Sequence, residues 1–245
     1  MKKNIIKINN IPAIIWGDTN DKLYIAVHGN LSHKEDNVIG ILAHEATAKG
    51  YQVLSFDLPE HGERKDGTTP CKVQNCVHDL VEIFSYAKTR WKDLNLFACS
   101  MGAYFSLLAY HEVDFKKALF LSPVVDMERI IRNMMMWFQV TPERLEKEGT
   151  INTPIGQKLY WDYFCYVLDH PVNSWKVDTS ILYGAKDNLV EFDTISNFTE
   201  KFHCKLEIME SGEHYFHTDE HLQRFRMWLQ SHIDYINSED FTIKY

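Results

Sequence analysis

A chain of 245 residues, 45% hydrophobic and 24% charged, has ordinary globular composition and length enough for one large domain with a full core. A formal net charge of −8 argues against nucleic acid or an anionic membrane as a main partner. The five cysteines, Cys71, Cys76, Cys99, Cys165 and Cys204, are an odd and scattered set that does not read as a disulfide framework, and Cys71 and Cys76 are expected as free thiols that pair only in an oxidising compartment. Lys7, Asn9, Asn10 and Pro12 interrupt any signal-peptide core after Met1-Lys2-Lys3-Asn4. No stretch approaches the roughly 18 apolar residues of a membrane span. The expectation is a soluble, cytoplasmic protein, with its oligomeric state left open.

Short apolar runs alternate with amphipathic stretches, the pattern of βαβ units on a mostly parallel sheet. Strands are predicted over 5–8 and 13–16, joined at Asn9-Asn10. The run over 23–27 stops abruptly at His28-Gly29-Asn30. A helix with apolar positions Val38, Ile41, Leu42 and Ala46 follows, ended by Gly50. Residues 52–56 form the next strand, ending at Asp57, and the loop over 58–70 holds two Gly and two Pro. Helical period returns over 73–90 at Val77, Leu80, Val81 and Phe84. A buried-type strand over 94–98, an apolar helix over 101–110 and a strand over 118–121 come next. Strands over 179–183 and 205–209, with helices over about 192–202 and 219–236, complete the set.

Nearly sixty residues between Leu121 and Thr179 break this rhythm, with helical signals and no clear strand. Met127, Ile130, Ile131, Met134, Met135 and Phe138 recur at helical spacing, and Leu159, Tyr160, Tyr163, Phe164, Val167 and Leu168 form a second stripe. Thr141-Pro142 and Thr153-Pro154 each read as a cap residue followed by proline at the first helical position. The segment over about 126–175 is therefore expected to be an all-helical insertion, a cap over the sheet of a single α/β domain spanning 1–245.

The chemistry-bearing motif is Ala98-Cys99-Ser100-Met101-Gly102, between an apolar strand and an apolar helix. It matches small-x-Ser-x-Gly, with Ala98 where glycine is usual. A serine on so sharp a turn has its hydroxyl thrust into a cleft, and the turn demands small neighbours, which Ala98, Gly102 and Ala103 supply. The helix N-terminus adds positive backbone dipole near a developing negative charge. Cys99 lies one position off the apex and is expected to pack.

With these residues the chain resembles the α/β-hydrolase superfamily from about Leu23 to Trp228. Three further signatures carry the likeness: residues 23–30, ending His28-Gly29-Asn30, resemble its strand and oxyanion loop; Asp57-Leu58-Pro59-Glu60-His61-Gly62 is similar to its Asp-x-x-Gly-His-Gly loop, with Glu60 for the first glycine; Gly184-Ala185-Lys186-Asp187 and Gly212-Glu213-His214 look like its acid and histidine loops. The likeness implies an α/β-hydrolase fold, a mostly parallel central sheet flanked by helices. Its implied catalytic set is Ser100 as nucleophile, His214 as base and Asp187 as orienting acid, in the superfamily's chain order. Backbone N–H groups of Asn30 and Met101 would form the oxyanion hole, and His28 and His61 would brace loops. Asp126, after the strand over 118–121, is the rival acid, and His217 the rival base. A metal reading of His214, His217 and His221 lacks a motif such as His-Glu-x-x-His, so no metal or organic cofactor is expected.

The expected reaction is two-step cleavage of a small or medium, apolar or aromatic carboxylic ester. Met134, Trp137, Phe138 and Trp161 are the candidate substrate contacts of the cap, for which the competing role is to glue the cap to the sheet. An aminopeptidase-like amide hydrolase, with Glu143, Glu146 and Glu148 to hold an amine, a peracid-forming enzyme, and a non-enzymatic binding module on the same scaffold are the alternatives.

Overall fold

The computed structural model describes residues 1–234. In chain order its elements are β1 (Lys3–Ile8), β2 (Ile11–Trp16), β3 (Lys22–Val27), α1 (Asn37–Ala48), β4 (Gln52–Phe56), α2 (Val73–Ala87), β5 (Asp93–Cys99), α3 (Met101–Ala109) and β6 (Ala118–Leu121). Then come α4 (Met127–Trp137), α5 (Pro142–Glu148), β7 (Thr150–Asn152), β8 (Lys158–Tyr160), α6 (Trp161–Asp169), β9 (Thr179–Gly184), α7 (Phe192–Phe202), β10 (Lys205–Met209) and α8 (Asp219–His232). Of the helix expected over 219–236, positions 235 and 236 lie outside the described residues.

Eight strands form one sheet in the order β1-β2-β4-β3-β5-β6-β9-β10. β2 runs antiparallel to both neighbours, and every pair from β4 to β10 is parallel. Period-two alternation sorts side chains to two cores. On one face Leu23, Ile25, Val27, Leu96 and Ala98 pack with α2, α3 and the segment after β6. On the other, Tyr24, Ala26 and Phe97 meet α1 and α8. Because both faces are covered, β3 reads after Lys22 as a continuous apolar run rather than a polar alternation. Helix α2 buries Val73, Cys76, Leu80, Ile83 and Ala87, steps of three and four that keep one face on the sheet. No helix among the described residues is long and apolar enough to cross a membrane.

The parallel connections bring the loops after β3, β5, β6 and β9 to the same edge of the sheet, where ligands gather in open α/β folds. The insertion between β6 and β9 differs from the all-helical expectation in one place. Residues 150–160 form the hairpin β7–β8. Thr150 and Ile151 are β-branched and favour strand. Thr153-Pro154 opens a turn instead of a helix: Thr153 N–H and Oγ1–H both donate to the Gln157 carbonyl, at 2.8 and 2.7 Å. Gly156 at φ +82 then closes it. Thr141-Pro142 does start a helix, with Thr141 Oγ1 accepting from Arg144 N–H.

Candidate active site

Ser100 stands at the junction of β5 and α3 with φ +52 and ψ −125, a conformation that costs a non-glycine residue of order 1–3 kcal/mol. Its surroundings fix it there. Ser100 N–H donates to the Leu121 carbonyl at 3.1 Å, and its own carbonyl accepts from Ala103 and Val124 N–H, each at 3.0 Å. A side chain at Gly102 would overlap the His28 carbonyl, so the strand-to-helix reversal closes only on a bare backbone. Cys99 carries a thiol whose pKa burial pushes up, and it packs with the core on the α1 and α8 face.

The Ser100 hydroxyl lies 2.8 Å from His214 Nε2, and His214 Nδ1 lies 2.7 Å from Asp187 Oδ2. The carboxylate can only accept, so Nδ1 carries the proton and Nε2 offers its lone pair to the serine. Asp187 Oδ1 is held by the N–H groups of Leu189 and Val190, both at 2.9 Å. Its side chain has no solvent exposure and that of His214 has 15%. Two loops bring this pair together. Gly184 ends β9 against the backbone of Gly212 and Glu213, where a Cβ would overlap main chain. Lys186 N–H donates to the Gly212 carbonyl at 2.8 Å, and Ala185 N–H to the Met209 carbonyl at 2.9 Å.

The rival residues lie elsewhere. Asp126 is exposed and caps α4, accepting from Arg129 N–H at 3.0 Å. His217 is exposed, stacks on Tyr215 and donates to its carbonyl. His221 is buried on α8 with Nε2 3.2 Å from the Ser211 carbonyl. Among the described residues no group of three or more His, Cys, Asp or Glu side chains is arranged to hold a metal ion.

Asn30 and Met101 both line the cavity that opens over Ser100. Neither backbone N–H has a backbone partner among the described residues, which leaves both donors available. The loop carrying Asn30 lies directly on the serine: a Cβ built on Gly29 would stand 3.0 Å from Ser100 Cβ. His28 braces that loop. Its Nδ1–H donates to the Gly29 carbonyl at 2.8 Å and its Nε2 accepts from Leu58 N–H at 3.0 Å. Burial pushes the His28 pKa down to about 3. Below pH ~6.5 the unfolded chain takes up a proton that folded His28 refuses until about pH 3, so stability falls with pH across that window. Urea unfolding at pH 7 and pH 5 is expected to show about 2 kcal/mol more acid loss in the wild type than in His28→Gln.

The motif reading missed the device that ties the two loops together. Lys34 and Asp57, both buried, form an ion pair of 2.6 Å, and Lys34 Nζ also lies 2.7 Å from Glu63. Asp57 further accepts from the N–H groups of Lys34 and Glu63. Lys34→Met would strand a buried carboxylate. It is expected to cost about 3–5 kcal/mol in denaturant unfolding, with much of the loss recovered in the Lys34→Met, Asp57→Asn double variant.

The cavity encloses about 870 Å³. Its apolar wall is the stripe Met127, Ile130, Ile131 and Met134 of α4, continued by Trp137. The hairpin contributes Ile155, Leu159 and Tyr160, and α6 contributes Tyr163. Of the four cap residues expected to touch substrate, Met134 and Trp137 line this space. Phe138 and Trp161 do not; both pack against the core. Phe138 has left the stripe because α4 ends at Trp137, and Trp161 opens α6 with its ring 6.1 Å from that of Phe164. Leu159 and Tyr160 belong to the apolar stripe expected there, read as helix where the structure has a strand, and Ile155 was not singled out.

No family model matches the sequence, and no curated protein matches it. Solved structures do. Est1E from Butyrivibrio proteoclasticus with bound ferulic acid is 20% identical, with a TM-score of 0.77 over 93% of this chain and 96% of that one. The mouse alpha/beta hydrolase domain-containing protein 10 is 13% identical, with a TM-score of 0.75 over 94% and 98%. The Pyrococcus furiosus esterase Pf2001 is 20% identical, with a TM-score of 0.69 over 94% and 89%. The chain thus has the α/β-hydrolase fold, with its mostly parallel sheet and flanking helices.

Proposed function

We propose that this protein is a serine hydrolase that cleaves a small or medium, apolar or aromatic carboxylic ester through an acyl-enzyme. The observation that carries the proposal is the unbroken hydrogen-bond chain from Ser100 through His214 to Asp187, with its serine opening into a cavity walled by apolar side chains. His214 Nε2 takes the proton as Ser100 Oγ attacks the ester carbonyl, and Asp187 stabilises the imidazolium that forms. The tetrahedral oxyanion is held by the N–H groups of Asn30 and Met101; losing one such donor typically costs about 3 kcal/mol of barrier. His214 returns the proton to the leaving alcohol, and water then repeats the sequence on the acyl-enzyme.

The apolar wall supports an apolar or aromatic group over a charged one, since an unpaired charge there would lose its hydration. Est1E, which shares the fold, holds ferulic acid, an aromatic carboxylic acid such as an ester of this class would release. The acidic residues suggested for holding a substrate amine, Glu143, Glu146 and Glu148, are exposed on α5 and absent from the cavity lining.

A fluorophosphonate probe is expected to label the folded protein once, at Ser100, by peptide mapping. Folded protein that resists the probe would favour a binding module. Alongside, p-nitrophenyl esters are expected to turn over faster than aminoacyl-anilides; the reverse order would move the proposal to amide hydrolysis.

A further inference from the structure

The chain carries a second nucleophilic cluster, which the hydrolytic chemistry does not use. Cys71 lies just before α2, in the wall of the cavity that also holds Ser100 and His61. Its Sγ is 3.6 Å from the Sγ of Cys76, a buried residue in the first turns of α2. The Cys71 backbone is pinned by an N–H bond to Glu60 Oε2 at 2.7 Å, so the thiol is presented at a defined place. The two sulfurs need approach by only about 1.6 Å to reach the ~2.05 Å of a disulfide.

We propose that Cys71 and Cys76 are a peroxide-reactive thiol pair, in which Cys71 attacks a hydroperoxide entering the cavity and Cys76 resolves the product to a disulfide. The Cys71 thiolate attacks one peroxide oxygen. A sulfur–oxygen bond forms, the oxygen–oxygen bond breaks, and the alkoxide (or hydroxide) leaves and takes a proton. Cys71 is oxidised by two electrons to the sulfenic acid, and the hydroperoxide is reduced to alcohol or water. Cys76 then loses its proton and attacks the Cys71 sulfur. The sulfur–sulfur bond forms, the sulfur–oxygen bond breaks, and water departs.

The division of roles follows from the surroundings. Cys71 faces the cavity, whereas Cys76 is buried behind it. A hydrogen bond from Cys76 holds the Cys71 pKa down; burial opposes this, and His61 adds to it. Burial, with the same contact, pushes Cys76 up. Burial raises Cys99, Cys165 and Cys204 as well, so Cys71 stands apart as the thiol with most thiolate.

The test uses the reduced full-length protein and hydrogen peroxide near stoichiometry, run on the wild type and on Ser100→Ala so that the thiol chemistry is read apart from hydrolysis. Trypsin cuts after Lys72, between the two cysteines. Oxidation is therefore expected to appear as a loss of two hydrogens in intact mass and as a disulfide-linked peptide pair, in both proteins. Cys76→Ser is expected to trap a dimedone-reactive sulfenic acid at Cys71. Cys71→Ser is expected to abolish both products. In the wild type Cys71 should react at least roughly tenfold faster than Cys165. A sulfenic acid at Cys71 that never links to Cys76 in the wild type would overturn the resolving role. Oxidation that reaches Cys165 first, or spreads evenly over the thiols, would overturn the proposal as a whole.

Discussion

Ser100→Ala is expected to lower kcat on p-nitrophenyl esters by on the order of 10⁵–10⁶-fold and to leave the unfolding midpoint nearly unchanged. The large effect follows from the proposed role: without the hydroxyl, His214 would have no nucleophile to deprotonate, and only oxyanion stabilisation and binding would remain. The small structural effect follows from geometry. The backbone bonds from Leu121, Ala103 and Val124 hold the reversal at residue 100, and alanine keeps all of them. Initial rates and a thermal melt on the same preparation decide the matter. Turnover within tenfold of wild type would remove Ser100 as nucleophile.

Asp187→Asn should cost about 10⁴-fold in kcat. The Leu189 and Val190 N–H groups already occupy Oδ1. An asparagine that keeps its carbonyl oxygen there must turn its NH₂ toward His214 Nδ1. The imidazole can then meet it only with a lone pair on Nδ1, which puts the proton on Nε2, where it can no longer accept from serine. The control is Asp126→Asn. Asparagine caps a helix about as well as aspartate, so both turnover and stability should survive. Harmless substitution at 187 with a crippled 126 variant would transfer the acid role.

Much of the fold was legible because its strands are short apolar runs cut off by loop residues, and because α1 and α2 show helical spacing. The serine turn could be read because steric demand leaves a trace in composition, in the small residues at 98, 102 and 103. Asp187 and His214 lie 27 positions apart, and the closeness of Gly184 to Gly212 that unites them has no local signature. Their pairing was reachable only through resemblance. The hairpin at 150–160 escaped because two three-residue strands are too short to show alternation, and proline after threonine serves a turn as readily as a helix start. Phe138 and Trp161 were misplaced by reading aromatic residues as cavity wall. Their positions at a helix end and a helix start aim them at neighbouring core instead. Lys34 was missed because a lysine in a loop ordinarily projects into solvent, whereas the fully enclosed Asp57, together with Glu63, draws this one inward.

The hydrogen-bonded relay of Ser100, His214 and Asp187 draws on β5, β9 and the loops that follow β9 and β10, while the greasy wall facing it is hung between β6 and β9. None of Met127, Ile130, Ile131, Met134 or Trp137 contributes a hydrogen bond to that relay. Under the proposed function, choice of guest and power of attack are thereby assigned to different stretches of polypeptide. Drift in the first can retune which molecules are accepted while the acid–base machinery stays in register.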